Sequence, residues 1–296
     1  MAMDFLVGHF EDRKKATGCT VFLFETPNRA VASVRGGAPG SRELEALSPG
    51  RLVEGVDAVV LSGGSAFGLS CSTGVVAFLK ERGKGFKTPR GVVPIVAQAV
   101  IYDLEVGEWA FPTPEWGYKA CQEAKGQVFE GSVGVGTGAT VGKLWGMERA
   151  VKGGFGKGAM ETPEGWIWTF VVTNSLGNIY LPYSGELLAG HKGAENPSSF
   201  SPFNTTLAVT VFEADLSREE LQHLADVVHS ALATCIRPFA TLYDGDVLFL
   251  VSLKRKKPVN YLLLVEGIYR SVTEAVIASV TKAESVAGVP TYKVCR

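Results

Sequence analysis

A hydroxyl that can come to stand at a chain end is the first chemistry this sequence offers. Asn204-Thr205-Thr206 stands directly in front of the apolar run Leu207-Ala208-Val209-Thr210-Val211, and it follows a stretch rich in Ser, Pro and Asn, Glu195 to Pro202. That stretch is expected to be an exposed, flexible loop. If the Asn204–Thr205 bond is cut, Thr205 carries both a nucleophile and its own base, the α-amine. Such an amine titrates at about 7.7–8, near the pH at which a general base works best. The same letters also suit an ordinary loop-to-strand junction, because Asn favours turns and Thr favours strands. Taken alone they do not separate the two.

Other residues add to the first reading. Asp244-Gly245-Asp246 precedes the apolar run Val247-Leu248-Phe249-Leu250. Two carboxylates flanking a glycine are costly to bring together unless donors or cations surround them, so they would fix an ammonium or orient a basic side chain, or else form a solvated turn. Lys152 precedes Gly153-Gly154 and has apolar neighbours. An amine there would tune a hydroxyl nucleophile, or be a plain surface lysine. Asn174 is placed at the tip of an expected strand pair, where its amide would donate to an oxyanion or shape the turn. Ser62-Gly63-Gly64-Ser65-Ala66-Phe67-Gly68 lies between an expected strand and helix. The backbone N–H groups of Gly64 and Ser65 are candidates for binding an oxyanion there, and a tight turn is the alternative.

Several chemistries are disfavoured. Gly134-Val135-Gly136-Thr137-Gly138-Ala139 lacks the third glycine of a dinucleotide loop, no acidic residue follows at the right distance, and there is no Gly-Lys-Ser/Thr phosphate loop. His9, His191, His223 and His229 are too scattered to suggest a metal site, so neither metal nor cofactor is expected. No Gly-x-Ser-x-Gly elbow occurs. A net charge of −1 gives no electrostatic footprint for nucleic acid. No apolar run approaches the ~18–20 residues that span a bilayer. The amino terminus has no secretory pattern. The five cysteines form no Cys-x-x-Cys pair, so reduced thiols and a soluble, cytoplasmic protein are expected.

The elements that must position these residues come next. A chain of 296 residues, 46% of them hydrophobic, can bury one large core or two small ones. Its 35 glycines cluster between apolar runs rather than repeating, which points to tight turns and close backbone approaches. Thr20 to Phe24 and Ala30 to Val34 are predicted as strands around a Pro-Asn turn. Ala58 to Ser62 is predicted as a buried strand, Ala66 to Arg82 as a helix, and Glu115 to Ala124 as a weaker helix. Ile167 to Thr173 and Asn178 to Leu181 are predicted as a hairpin, and Leu207 to Phe212 and Val247 to Ser252 as strands. Ser217 with Glu220 makes a capping box for a helix from Arg218 to Cys235. The final helix is predicted over Tyr261 to Glu284. This mixed order favours an α+β layered sandwich.

Together, Asn204-Thr205, Asp244-Gly245-Asp246, Lys152-Gly153-Gly154 and Asn174 resemble the autoprocessing N-terminal-nucleophile hydrolases typified by the DmpA aminopeptidase. The nylon-oligomer (6-aminohexanoate-oligomer) endohydrolase branch is the most similar. Gly36 to Glu43, Leu61 to Leu69, Pro94 to Val96, Ile101 to Leu104, Gly134 to Thr140 and Ile236 to Pro238 agree, so the likeness covers most of the chain. The resemblance implies a four-layer αββα sandwich and a single domain cut into an α part, 1–204, and a β part, 205–296. It implies that Thr205 attacks the Asn204 carbonyl and then substrate amides through an acyl-enzyme. Lys152 and Asn174 would tune the nucleophile and hold the oxyanion, and Asp244 and Asp246 would position Thr205 and its ammonium. Tyr102 would stand near the substrate. The implied substrate is a small peptide or amide, and the implied state is a homo-oligomer of αβ units. The competing expectation is an uncut homologue serving as a binding or assembly module. Where the family reads Val-Asn-Ala-Val-Gly-Asp, this chain has Thr173-Asn174-Ser175-Leu176-Gly177-Asn178, so its substrate choice is expected to differ. Asn174-Ser175 is itself an Asn-Ser step; Thr205 is preferred because it heads an apolar strand.

Overall fold

The computed structural model describes residues 3–192, 202–257 and 260–295. The Glu195 to Pro202 stretch therefore lies outside the described residues, apart from Pro202. Two mixed five-stranded sheets organise the fold. The first runs in the order Phe5–Asp12, Thr17–Phe24, Ala58–Ser62, Val96–Val100, Ser41–Arg42. The second runs Phe155–Thr162, Gly165–Asn174, Thr205–Ala214, Val247–Lys256, Arg29–Val34. Each sheet contains one parallel pair, Ala58–Ser62 with Val96–Val100 and Thr205–Ala214 with Val247–Lys256. Parallel neighbours need a long crossover, and helices Cys71–Glu81 and Arg218–Cys235 lie in those two connections.

The central strands are apolar on both faces because each sheet is covered twice. In Thr205–Ala214, Leu207, Val209 and Val211 enter a core between the sheets with Phe22, Leu61, Phe170 and Phe249. The alternate residues Ala208, Phe212 and Ala214 pack with Leu224, Val228, Val272 and Val276 of helices Arg218–Cys235 and Tyr261–Thr281. On the far side, Cys19, Val21, Ala58 and Val60 of the first sheet pack with Val75, Phe78, Ala120 and Cys121 of helices Cys71–Glu81 and Pro114–Gln122. The layers are therefore helix, sheet, sheet, helix, the expected αββα sandwich.

Local chemistry sets the details. The Ser217 capping box is present, with Glu220 N–H donating to Ser217 Oγ at 3.1 Å and Ser217 N–H to Glu220 Oε2 at 2.7 Å. Helix Tyr261–Thr281 lies flush on strand Phe155–Thr162 because that strand offers Gly156 and Gly158. A β-carbon at either would stand 2.0 Å or 1.9 Å from a carbonyl oxygen of the helix.

Four element expectations need correction. Asn174 is not at a hairpin tip. Gly165–Asn174 pairs with Phe155–Thr162 and Thr205–Ala214, while Asn178–Tyr180 pairs with Leu187–Ala189 and Ile236–Arg237 in a separate sheet. The two strands around Pro27-Asn28 likewise join different sheets, Thr17–Phe24 the first and Arg29–Val34 the second. The helix expected from Ala66 is a single turn, Ser65–Gly68, followed by Cys71–Glu81. The last helix ends at Thr281 rather than Glu284. In each case local pattern showed an apolar element, but partner and end were set by packing.

Candidate active site

Thr205 is the first residue of its strand and stands opposite Asn174, the last residue of Gly165–Asn174. It is 5% exposed. Its Oγ1 donates to the carbonyl oxygen of Asn204 at 2.5 Å. The same oxygen accepts the Gly245 N–H at 2.8 Å, and the Asn204 N–H donates to the Tyr243 carbonyl at 3.2 Å. Asn204 thus forms an isolated parallel bridge with Asp244, in the register of the ladder that pairs Thr205–Ala214 with Val247–Lys256 from Leu207 and Val247 onward. Hydroxyl, carbonyl and amide donor are gathered around one peptide bond before any substrate arrives.

Only glycine fits at 245. A β-carbon there would stand 2.5 Å from the Ala38 carbonyl oxygen and 2.9 Å from Thr205 Oγ1. Gly245→Ala is therefore expected to displace both the hydroxyl and the N–H that holds the Asn204 carbonyl. Losing one such donor costs about 10²–10³ in rate, and the time course of any change at the 204–205 bond on a denaturing gel measures it.

Asn174 is fully buried, and each polar group of its side chain has a partner. Nδ2 donates to the Tyr102 carbonyl at 3.0 Å, and Oδ1 accepts from the Thr140 N–H at 3.0 Å. Oδ1 also accepts from Lys143 Nζ at 3.1 Å, and Lys143 Nζ reaches the Asn174 carbonyl at 2.9 Å. The lysine beside the Asn174–Thr205 pair is therefore Lys143. Lys152 lies at the other end of the same loop, where its Nζ donates to the carbonyls of Thr137 at 2.8 Å, Ala139 at 2.7 Å and Gly136 at 3.4 Å. Its amine is turned into loop backbone, and it braces the segment whose Thr140 N–H holds Asn174. Both lysines are buried. Desolvation of the charged form pulls each amine down from the ordinary lysine range to about 7, with Asp244 opposing the shift at Lys143 and Asp103 at Lys152.

The two aspartates have different partners. Asp244 Oδ2 accepts the Thr241 N–H at 3.0 Å and the Thr241 hydroxyl at 2.5 Å, and its Oδ1 faces the Leu176 N–H at 3.5 Å. Asp246 Oδ1 accepts the Thr206 N–H at 2.5 Å, and Oδ2 accepts the Ala240 N–H at 3.2 Å. Asp246 therefore clamps the residue immediately after Thr205. Burial, reinforced by the neighbouring Asp244 charge, pushes the Asp246 carboxyl well above the usual carboxylate range.

The expected oxyanion donors of the glycine turn are elsewhere engaged, which corrects that part of the reading. Gly64 N–H donates to Asp103 Oδ1 at 2.7 Å, and Ser65 N–H donates to the Ile101 carbonyl at 2.9 Å. Asp103 also accepts the Thr17 hydroxyl at 2.7 Å, and burial raises its carboxyl to about 6. This buried acid fixes the segment in which the preceding residue, Tyr102, holds Asn174 by its carbonyl. The Tyr102 ring stacks on Phe203, with centroids 4.5 Å apart and planes at 30°. Ser175 turns away, its hydroxyl on the Gly177 carbonyl at 2.8 Å.

Sequence reasoning missed Lys143, Thr140, Thr241 and the Gly245 amide as parts of the site. The one signal for Lys143 was its place after Thr140-Val141-Gly142 in an apolar stretch, which Lys152 shares. Among the described residues no group of three or more His, Cys, Asp or Glu side chains is placed to hold a metal. No helix among them is long and apolar enough to cross a membrane.

Comparison with known proteins gives the family and the fold. The model of peptidase family S58 matches residues 4–294. An uncharacterised aminopeptidase of Mycobacterium tuberculosis is 35% identical over 97% of this chain and 94% of its own length. A 6-aminohexanoate-oligomer endohydrolase of Agromyces sp. is 30% identical over 82% of this chain and 71% of its own. Among solved structures, the L-aminopeptidase D-Ala-esterase/amidase of Ochrobactrum anthropi, described as a variant of the Ntn-hydrolase fold, matches with a TM-score of 0.72 at 16% identity, covering 98% of this chain and 87% of that one. A β-aminopeptidase of Burkholderia sp. matches with a TM-score of 0.71 at 17% identity, covering 97% and 87%. These two share the fold.

Proposed function

The chain belongs to peptidase family S58, and on that footing we propose that it is a self-cleaving amide hydrolase whose nucleophile is Thr205. The observation that carries this reading is the triangle of Thr205 Oγ1, the Asn204 carbonyl and the Gly245 N–H. In maturation Thr205 Oγ1 bonds to the Asn204 carbonyl carbon. Its proton passes to Lys143, which is neutral above about pH 7, and the Gly245 N–H steadies the oxyanion. The proton returns to the Thr205 nitrogen as the C–N bond breaks, leaving an ester that water opens. The chain then consists of an α part, 1–204, and a β part, 205–296.

In turnover the freed α-amine of Thr205 takes over as base. The hydroxyl adds to a substrate amide, the amine product leaves with the proton, and water releases the acid. Asp246 holds the strand at Thr206, Asp244 keeps the facing turn in register, and Asn174 keeps the opposite strand end in place. The role first given to Lys152 passes to Lys143, which touches Asn174. The α and β parts remain one body because Phe22 and Phe170 on one side of the cut share a core with Val209 and Phe249 on the other. Burial of each such side chain contributes about 1.5–3 kcal/mol. The relatives' names point to aminoacyl amides or 6-aminohexanoate oligomers as substrates. Assembly of the αβ units into a homo-oligomer fits the exposed rings of Phe67 and Trp109, which pack on the half-buried Phe111.

The cut protein should release p-nitroaniline from aminoacyl p-nitroanilides or shorten 6-aminohexanoate oligomers. Protein that hydrolyses none of them, cut or uncut, is instead a binding or assembly module.

A further inference from the structure

We infer that the seat now held by Phe203-Asn204 is the acyl-side groove for substrate, and that it selects amides whose second acyl-side residue carries a flat ring. This rests on the proposed nucleophile, because one oxygen at Thr205 must find each successive carbonyl in the same place. Maturation and turnover then share one geometry, so the chain's own residues before the cut stand in for the acyl half of a substrate.

The seat is specific in backbone terms. Its residue next to the nucleophile donates N–H to the Tyr243 carbonyl at 3.2 Å and presents its carbonyl to the Gly245 N–H at 2.8 Å. This is an isolated parallel bridge to Asp244, in the register of the ladder that starts at Leu207 and Val247. An extended peptide or oligoamide docking by its main chain satisfies the same pair of partners. Neither Tyr243 O nor Gly245 N reads a side chain, so selectivity has to come from the flanking surface.

That surface is the Tyr102 ring. Phe203 stacks on it at 4.5 Å and 30°, while remaining 47% exposed on its other side. An aromatic group in this place gains the ring contact without entering a closed pocket, so the groove remains open to longer acyl chains. Tyr102 holds Asn174 by its backbone carbonyl, on which Asn174 Nδ2 rests at 3.0 Å, while its ring meets Phe203. Exchanging its side chain therefore tests recognition apart from the placement of Asn174.

The test uses the cut wild-type protein and a Tyr102→Leu variant with Asn-, Gly-Asn- and Phe-Asn-p-nitroanilide. An aromatic pair of this kind is worth roughly two- to tenfold in affinity. The expected result is a kcat/KM for Phe-Asn-p-nitroanilide higher than for the Gly-Asn compound by about that factor in wild type, with the ratio falling towards unity in Tyr102→Leu. Equal rates for the two dipeptide compounds overturn the inference. So does a protein that hydrolyses only the Asn compound, since the groove would then close behind the first residue. A protein that hydrolyses none of the three but other amides also overturns it, whereas failure on every amide brings down the hydrolase reading itself.

Discussion

A Thr205→Ala chain stays in one piece and hydrolyses no amide. The substitution removes the oxygen that donates to the Asn204 carbonyl, together with the γ-methyl that Thr205→Ser also lacks. Deleting a catalytic nucleophile lowers turnover by about 10⁴–10⁶, so both steps fall below detection in an overnight assay. The fold tolerates the change, since one lost side-chain hydrogen bond costs about 1 kcal/mol against a strand buried on both faces. Thr205→Ser keeps the hydroxyl and still cuts. The pair of variants, compared on a denaturing gel with circular dichroism as the folding control, assigns the effect to one atom.

The second large effect is at Lys143. Lys143→Met keeps an unbranched apolar stem but removes the amine that bridges the Asn174 carbonyl and Oδ1. Loss of a general base costs about 10²–10⁴ in rate, and self-cleavage should slow accordingly. The sign of the pH dependence follows from burial. The amine is lowered from 10.5 to about 7, so it is neutral and able to take a proton above that pH and charged below it. Wild-type cleavage is expected to climb with pH up to about 7 and then level. In Lys143→Met both the rate and this limb disappear. Because the folded chain holds fewer protons on Lys143 than the unfolded one between about 7 and 10.5, the burden of burying it eases as pH rises through that window. Lys152→Met is the contrast. It takes a donor from three loop carbonyls. Those of Gly136 and Ala139 keep a backbone N–H partner, so the cost of about 1–3 kcal/mol for an unsatisfied buried group falls on the Thr137 carbonyl, and the main effect is on the urea midpoint.

How far the letters reached can be judged residue by residue. The αββα layers were implied by the family resemblance, and the strands behind them were visible where runs such as Leu207 to Phe212 are apolar on both faces. The pairing of Asn174 with Thr205 was hidden, because Gly165–Asn174 looks locally like the first arm of a hairpin through Ser175 to Gly177. Its partner strand begins beyond a segment that carries no apolar rhythm. Asp244-Gly245-Asp246 was legible as a group of carboxylates, but the part played by the glycine between them was not. That part depends on the approach of the Ala38 carbonyl and Thr205 Oγ1 from distant strands. Lys143 and Lys152 are alike in composition and flanking glycines. Only the path of the chain from 136 to 152 decides which amine meets Asn174 and which caps the carbonyls of Gly136, Thr137 and Ala139. The Gly64–Ser65 turn was legible as a turn, but its N–H groups belong to Asp103 and Ile101, and no local pattern reveals that.

One measurement bears on the central claim most directly: amino-terminal sequencing of freshly purified wild-type protein after denaturing electrophoresis. The account predicts two fragments, the smaller beginning Thr-Thr-Leu-Ala-Val at Thr205. A single full-length chain, or a fragment that begins elsewhere, for example at Ser175, contradicts it.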